Sequence, residues 1–146
     1  MYVETQFSIF LVNKPGVLAG VAGALAKSRV NLVALTLMDS MEHGVLRIVC
    51  QNPDVARKVL GTAHDRWTET EVLVMDLENS PGSFAKVTEK LAENHINISY
   101  AYCTGGAQGG KTTAVFKVAD MKKAQKVISE TEKPAKKPST RTRKGR

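Results

Sequence analysis

A short motif, Asn-x-Pro-Gly, occurs twice in this sequence, at residues 13–16 and 79–82. A proline–glycine pair typically ends a strand and opens a helix, and the first N–H groups of a helix attract a carboxylate. Glycine allows a ligand to approach the backbone closely, and the asparagine amide both donates and accepts hydrogen bonds. The motif therefore indicates a site for a zwitterion. The alternative is purely structural: the pair makes a turn and Asn13 or Asn79 caps the helix.

A second motif, GGAQGGKT at residues 105–112, matches the phosphate-binding pattern GxxxxGK[ST]. In a nucleotide-binding loop, this pattern leads into a helix whose N-terminus holds the phosphates. Here the residues that follow, TTAVFKV, are rich in β-branched side chains and indicate a strand ending at Val118. We therefore predict a glycine-rich hairpin turn. A small nucleotide-binding enzyme that uses Lys111 is the least favoured hypothesis.

The histidines and cysteines are dispersed along the chain and form no pattern with metal-ligand spacing. His43, His64 and His95 lie far apart in sequence, and we expect polar surface positions for them. Cys50 and Cys103 fall in apolar stretches, so we predict that both are small buried hydrophobic residues. The sequence thus predicts no metal, no cofactor, no catalytic residues and no enzymatic activity.

The two motifs belong to an internal repeat with an offset of 66 residues. Twenty residues from Asn13, NKPGVLAGVAGALAKSRVNL, align without gaps on NSPGSFAKVTEKLAENHINI from Asn79, with eight identities. Leu18 aligns with Phe84, and apolar residues recur at helical spacing in both segments. The sequence therefore predicts two copies of one structural unit.

Each copy begins with a strand of alternating hydrophobicity, which the motif links to the helix. Two further strands follow, at residues 32–38 and 45–51 in the first copy and 98–104 and 112–118 in the second. A closing helix follows, and the offset grows to 68 because the second turn is two residues longer. We predict a short or missing fourth strand, with residues 61–70 forming that strand or a linker. Asn31 and Asn97 are predicted to stop the first helices in the left-handed conformation.

These elements predict an α+β fold of two tandem ferredoxin-like (βαββαβ) units, each an antiparallel sheet with helices on one face. The predicted units are residues 1–66 and 67–132, followed by a basic disordered tail at 133–146. The bare face of the sheet is where the two copies, or two chains, are expected to meet.

The net charge of +7 arises in the last fourteen residues, KPAKKPSTRTRKGR, which contain seven Lys or Arg and no acid. The remaining 14 basic and 14 acidic residues balance. Nucleic acid is therefore a possible partner through this tail alone. No apolar run approaches 18 residues, and the N-terminus lacks the pattern of a signal peptide. We expect a cytoplasmic protein that does not bind membranes.

Both motif segments resemble the opening of an ACT domain, in which an Asp/Asn-x-Pro-Gly-x-Leu/Phe loop joins the first strand to the first helix. The resemblance covers about residues 3–130. It implies a ferredoxin-like fold, side-by-side pairing of units, and amino-acid ligands held by this loop at the interface. The ligand-binding residues that it implies are Asn13, Lys14, Pro15, Gly16, Val17, Leu18 and Asn31, then Asn79, Ser80, Pro81, Gly82, Ser83, Phe84 and Asn97.

The leading functional hypothesis is a non-catalytic regulatory protein, expected to be a homodimer, that binds a small amino acid and acts on a partner enzyme or transcription partner. Position 14 is Lys where position 80 is Ser, and position 17 is Val where position 83 is Ser, so the copies are expected to bind unequally. The more polar second loop is the better candidate. The alternative is a dimeric scaffold whose basic tail binds nucleic acid or another anionic partner.

Overall fold

The computed structural model describes residues 1–39, 43–63 and 66–132, which form six strands and four helices in the order β1-α1-β2-β3-α2-β4-α3-β5-β6-α4. The first copy contains β1 (Tyr2–Val12), α1 (Val17–Lys27), β2 (Leu32–Asp39), β3 (His43–Cys50) and α2 (Pro53–Ala63). The second contains β4 (Trp67–Glu78), α3 (Ser83–Glu93), β5 (Ile98–Cys103), β6 (Lys111–Val118) and α4 (Met121–Glu132). The α+β prediction is confirmed.

All six strands form one antiparallel sheet with the order β2-β3-β1-β4-β6-β5. The long strands β1 and β4 pair at its centre, where Thr5 lies opposite Glu71. These two residues are 66 positions apart, which is the repeat offset. An approximate twofold axis that relates the two copies therefore passes through this pair.

The order β2-β3-β1-β4 is that of one ferredoxin-like unit, and β5-β6-β4-β1 is that of the other. Residues 67–74 of β4 thus supply the fourth strand of the first unit, and residues 2–9 of β1 supply that of the second. The segment 61–70 contains the end of α2 and the start of β4. The fourth strand expected to be short or missing is therefore provided by the other copy's first strand.

The register of the sheet confirms the predicted change of offset. Phe7 of β1 lies opposite Ile48 of β3, and Leu73 of β4 lies opposite Phe116 of β6. The β1 and β4 residues differ by 66 positions and the β3 and β6 residues by 68, because the turn before β6 is longer. The two copies therefore align residue by residue through the third strand.

All four helices cover one face of the sheet and enclose one core for each copy. The first core includes Phe7, Ile9, Leu11, Val21, Leu25, Ile48 and Leu60. The second includes Leu73, Met75, Leu77, Leu91, Phe116 and Ile128, and Val3 packs against it. Val3 and Phe7 point to the same side of β1 because side chains alternate along a strand. The two helical layers therefore share this side of the sheet.

The opposite face of the sheet curls inward and joins the two copies. A third buried cluster contains Ala34 and Val49 of the first copy and Val72, Val74 and Val115 of the second. Tyr100 and Tyr102 of edge strand β5 form side-chain hydrogen bonds with Gln6 of β1. The copies thus contact each other on the face without helices, in addition to the pairing of β1 with β4.

The helix ends differ from the sequence prediction. The left-handed residues after α1 and α3 are Arg29 (φ 56) and His95 (φ 55), so the prediction for Asn31 and Asn97 is wrong. The N–H of each left-handed residue bonds back to the last turn of its helix, and so does the N–H of the next residue. This paired arrangement needs the left-handed conformation one residue after the cap. The asparagines come two residues later, directly before the second strands.

The two cysteines occupy different environments. Cys50 is buried in the first core, as predicted. Cys103 is exposed because it lies on β5, an outer strand of the sheet, so the prediction that it is buried is wrong. Within the described ranges, no helix is long and apolar enough to span a membrane.

Candidate functional site

The junction between β4 and α3 begins the candidate site of the second copy. Gly82 occupies the N-cap position of α3 with φ 89, and Gly16 does so for α1 with φ 88. A Cβ at either glycine would meet no atom within 4 Å, so the positive φ, not crowding, requires glycine there. No side chain caps either helix. The expectation that Asn13 or Asn79 caps its helix, which was part of the structural alternative, is therefore wrong.

The side chain of Asn79 binds the glycine-rich turn instead of the helix. Its Nδ2 donates to the carbonyl oxygens of Gly106 (2.8 Å) and Ala107 (3.1 Å). The backbone N–H of Asn79 donates to the carbonyl of Gly110 (2.8 Å), and its carbonyl accepts from the N–H of Gly109 (3.2 Å). Asn79 thus joins the strand-to-helix junction to the turn between β5 and β6. It is a positioning residue.

The GGAQGGKT segment forms this turn and the start of β6, so the prediction of a hairpin is confirmed. Lys111 is the first residue of β6 and lies opposite Glu78. A phosphate-binding loop would lead into a helix instead. The turn is also tightly packed, because a Cβ on Gly106 would lie 2.5 Å from the carbonyl oxygen of Lys111.

The junction and the turn line an open cavity of about 410 Å³, which we call the junction cavity. It is lined by Leu77, Glu78, Asn79, Ser80, Ser83, Phe84, Cys103, Thr104, Gly105, Gly106 and Thr112. This lining contains one carboxylate, four hydroxyls, a thiol and an aromatic ring, and it contains no cationic side chain. The carboxylate is suited to an ammonium group, and the uncapped start of α3 is suited to a carboxylate.

Neighbouring contacts hold several of these groups in place. The hydroxyl oxygens of Ser80 and Ser83 lie 2.9 Å apart. The ring of Phe84 stacks on Phe116 with a centroid distance of 5.6 Å and an interplanar angle of 15°, so the core orients this exposed ring. Desolvation raises the pKa of the Cys103 thiol. A thiol with a raised pKa stays protonated at neutral pH and is a weak nucleophile.

The equivalent cavity of the first copy is smaller and more apolar. It measures about 100 Å³. Its lining is Leu11, Val12, Asn13, Lys14, Val17, Leu18, Leu37, Met38, Asp39 and Gly44. The turn that would close it includes residues 40–42, which lie outside the described residues. The lining of the second junction is the more polar of the two, and its loop was the more polar in the sequence.

The structure brings together part of the residue set that the resemblance implied. Asn13, Lys14, Val17 and Leu18 line the first cavity, and Asn79, Ser80, Ser83 and Phe84 line the second. Pro15, Gly16, Pro81 and Gly82 shape the junctions without lining the cavities. Asn31 and Asn97 lie at the opposite ends of β2 and β5 from the cavities, where their carbonyls accept from Gln51 and Ala119.

Residues of the turn and of the neighbouring strands complete the junction cavity, and sequence analysis did not assign them to the site. They are Leu77, Glu78, Cys103, Thr104, Gly105, Gly106 and Thr112. One signal could have found them. In an antiparallel sheet, the turn before the third strand lies at the same end as the close of the first strand. The predicted strand order therefore already placed this turn beside Asn79.

Comparison with known proteins identifies the family. The pattern of the ACT domain pair matches residues 1–134, and this chain belongs to that family. Protein BT0572 from Bacteroides thetaiotaomicron has a solved structure that is similar to this chain, with 35% identity, 88% of each chain covered and a TM-score of 0.81. None of the curated proteins matches.

More distant structures share the fold. The regulatory subunit of aspartate kinase from Thermus thermophilus, in its ligand-free form, is 13% identical, with a TM-score of 0.61 over 90% of this chain and 98% of its own. The aspartokinase alpha and beta subunits are 16% identical, with a TM-score of 0.59 over 89% and 96%. At these identities the likeness concerns the fold alone.

Proposed function

We propose that this chain is a non-catalytic regulatory protein that binds a small amino acid in the junction cavity of its second copy. One observation carries the proposal: Glu78, four hydroxyls and the uncapped N-terminus of α3 surround the same cavity of about 410 Å³. An amino acid carries both an ammonium and a carboxylate group, and this lining offers a partner for each. The corresponding cavity of the first copy is smaller, at about 100 Å³, and the described residues that line it carry no hydroxyl group.

Regulation is supported by membership of the ACT domain pair family and by the fold shared with a regulatory subunit of aspartate kinase. We propose that ligand binding acts on a separate partner, an enzyme or a transcription factor. In the described ranges, no group of His, Cys, Asp or Glu side chains could hold a metal ion.

Calorimetric titration of the full chain with each of the twenty amino acids tests the proposal. Ser83→Val gives the second junction the residue that the first has at position 17. It removes one hydrogen-bonding group, so we expect affinity to fall about two- to tenfold. The reciprocal change, Val17→Ser, is the matched control and is expected to leave affinity unchanged. The proposal fails if no amino acid binds, or if Val17→Ser alone changes the affinity.

The alternative function depends on residues 133–146, which lie outside the described residues. A scaffold whose basic tail binds nucleic acid therefore stays a prediction, and so does the cytoplasmic location. Salt-dependent binding of DNA or RNA that disappears when residues 133–146 are removed would support the scaffold.

A further inference from the structure

A second cavity adjoins the junction cavity. It measures about 380 Å³ and lies between α3 and α4, above the end of β4, and we call it the helix groove. Its lining is Met75, Asp76, Leu77, Glu78, Ser83, Lys86, Val87, Lys90 and Ile128. Leu77, Glu78 and Ser83 line both cavities. The two cavities are therefore adjacent.

Lys86 and Lys90 bring positive charge to the groove. They lie four residues apart on α3, so both side chains project from the same face of the helix. Within the part of the chain that the structure describes, neither forms an ion pair, since the ion pairs there are those of Arg57. Lys90 is half-buried, beside apolar groove residues such as Val87 and Ile128. Lys86 is exposed, and an anion between the two side chains is attracted by both ammonium groups.

The first copy provides an internal comparison. At the positions equivalent to Glu78, Ser83, Lys86 and Lys90, it has Val12, Val17, Gly20 and Ala24. These four polar residues are thus replaced by apolar residues or glycine in the first copy. The charges are not required by the shared fold, because the first copy adopts the same elements without them. They distinguish the second site.

We propose that the ligand of the second copy is an amino acid whose side chain ends in a second anionic group, a carboxylate or a phosphate. This ligand assignment rests on the proposed function, and it specifies the chemical class of the amino acid that binds. The amino-acid end occupies the junction cavity, with its ammonium near Glu78, and the side-chain anion extends past Ser83 to Lys86 and Lys90. One helical turn of about 5 Å separates Ser83 from Lys86, so a side chain of a few bonds spans the distance.

The test compares acidic ligands with their neutral counterparts by calorimetry on the full chain. The pairs are aspartate with asparagine, glutamate with glutamine, and phosphoserine with serine. We expect at least one acidic ligand to bind about tenfold more tightly than its neutral partner at low salt, and the ratio to fall as salt is added. Comparison of the carboxylates with phosphoserine distinguishes the two anionic groups.

The double variant Lys86→Gln/Lys90→Gln is expected to abolish this preference and to leave the binding of neutral ligands unchanged. Lys122→Gln/Lys123→Gln on the exposed surface of α4 removes the same net charge and is the matched control. Equal loss in both double variants would indicate a general charge effect and overturn the inference. Neutral ligands that bind as tightly as acidic ones would overturn it while the proposed function stands. If no amino acid binds, both fail.

Discussion

The Tyr102 hydroxyl donates a 2.8 Å hydrogen bond to Oε1 of Gln6, which is fully buried. This bond joins outer strand β5 of the second copy to central strand β1 of the first. Nε2 of Gln6 donates to the Tyr100 hydroxyl at 2.6 Å, and the Arg47 guanidinium lies 4.1 Å from the centroid of the Tyr100 ring. These polar contacts therefore hold β5 close to β1 on the face of the sheet without helices. The next two residues after Tyr102, Cys103 and Thr104, line the junction cavity.

Removal of one hydroxyl tests this connection. Tyr102→Phe leaves a buried acceptor of Gln6 without its donor, which costs about 1–3 kcal/mol of unfolding free energy. Urea denaturation measures the loss. Tyr2→Phe is the control, because Tyr2 is exposed and the same deletion there is expected to cost about 0.5 kcal/mol or less. Equal effects of the two substitutions would show that the bond to Gln6 contributes nothing particular.

The same tyrosine predicts a loss of stability in alkali. Burial, and to a lesser extent the neighbouring Tyr100, raises the pKa of Tyr102 above its ordinary value. Above about pH 10 the unfolded chain ionises this hydroxyl while the folded chain keeps it protonated. Ionisation in the unfolded chain then favours the unfolded state. The free energy of unfolding therefore declines above about pH 10 and is unaffected by this hydroxyl below it. Unfolding free energies from pH 8 to 11 should fall less steeply for Tyr102→Phe than for the unaltered protein. Parallel curves would contradict the prediction.

The backbone conformation of Gly82 predicts that a side chain at this position destabilises the folded protein. Its φ of 89 lies in the left-handed region, so Gly82→Ala is expected to destabilise the protein by about 1–2 kcal/mol. Gly61→Ala is the opposite control, because Gly61 lies inside α2 with open space around it and alanine favours the helix by about 0.5–1 kcal/mol. Thermal unfolding of the two variants should shift in opposite directions. A stabilising Gly82→Ala would refute the argument.

Asn79 is predicted to act on the site through the turn that it holds. Asn79→Asp replaces the amide donor with a carboxylate that faces the carbonyls of Gly106 and Ala107. Repulsion should open the turn, so amide hydrogen exchange at residues 105–110 should accelerate and ligand affinity should fall. The equivalent change in the first copy, Asn13→Asp, is expected to leave exchange in this turn unaltered. Unchanged exchange in Asn79→Asp would show that other bonds hold the turn.

Much of the fold could be predicted because each copy is one continuous stretch of sequence and its apolar residues recur at regular spacing. Asn13 and Asn79 fixed the alignment of the copies, and the alignment identified the glycine-rich turn. What sequence could not reveal depends on contacts between the copies. Residues 2–9 serve as a fourth strand only because β4 lies beside them. Cys103 belongs to an apolar stretch, yet it is exposed because no strand follows β5 in the sheet.

The site was predicted less completely for a similar reason. The resemblance implied Ser80, Ser83 and Phe84, which are close together in sequence and line the junction cavity. Glu78 and Thr104 reach the same cavity through strand pairing, which sequence spacing does not show. The asparagines at the starts of the second strands were included by resemblance, and the fold places them at the far end of those strands.

Exposed apolar residues on and beside outer strand β2 of the first copy predict how two chains associate. Leu35 and Leu37 lie on outer strand β2 and are 51% and 48% exposed, and Leu18 of α1 is 40% exposed. The second copy has Ala101 where the first has Leu35. Apolar side chains on an open strand edge favour strand pairing, and a symmetric dimer buries the same surface on both chains. The homodimer expected from the sequence is therefore predicted to form through the β2 edge.

Leu35→Lys is expected to convert the dimer into a monomer, because the pairing of two β2 edges would bring the introduced charges close together on apolar surface. Ala101→Lys introduces the same charge on outer strand β5 and should leave the dimer intact. Light scattering after size-exclusion chromatography measures both masses across a range of protein concentrations. A monomeric unaltered protein, or dissociation by Ala101→Lys alone, would show that the β2 edge is not the interface.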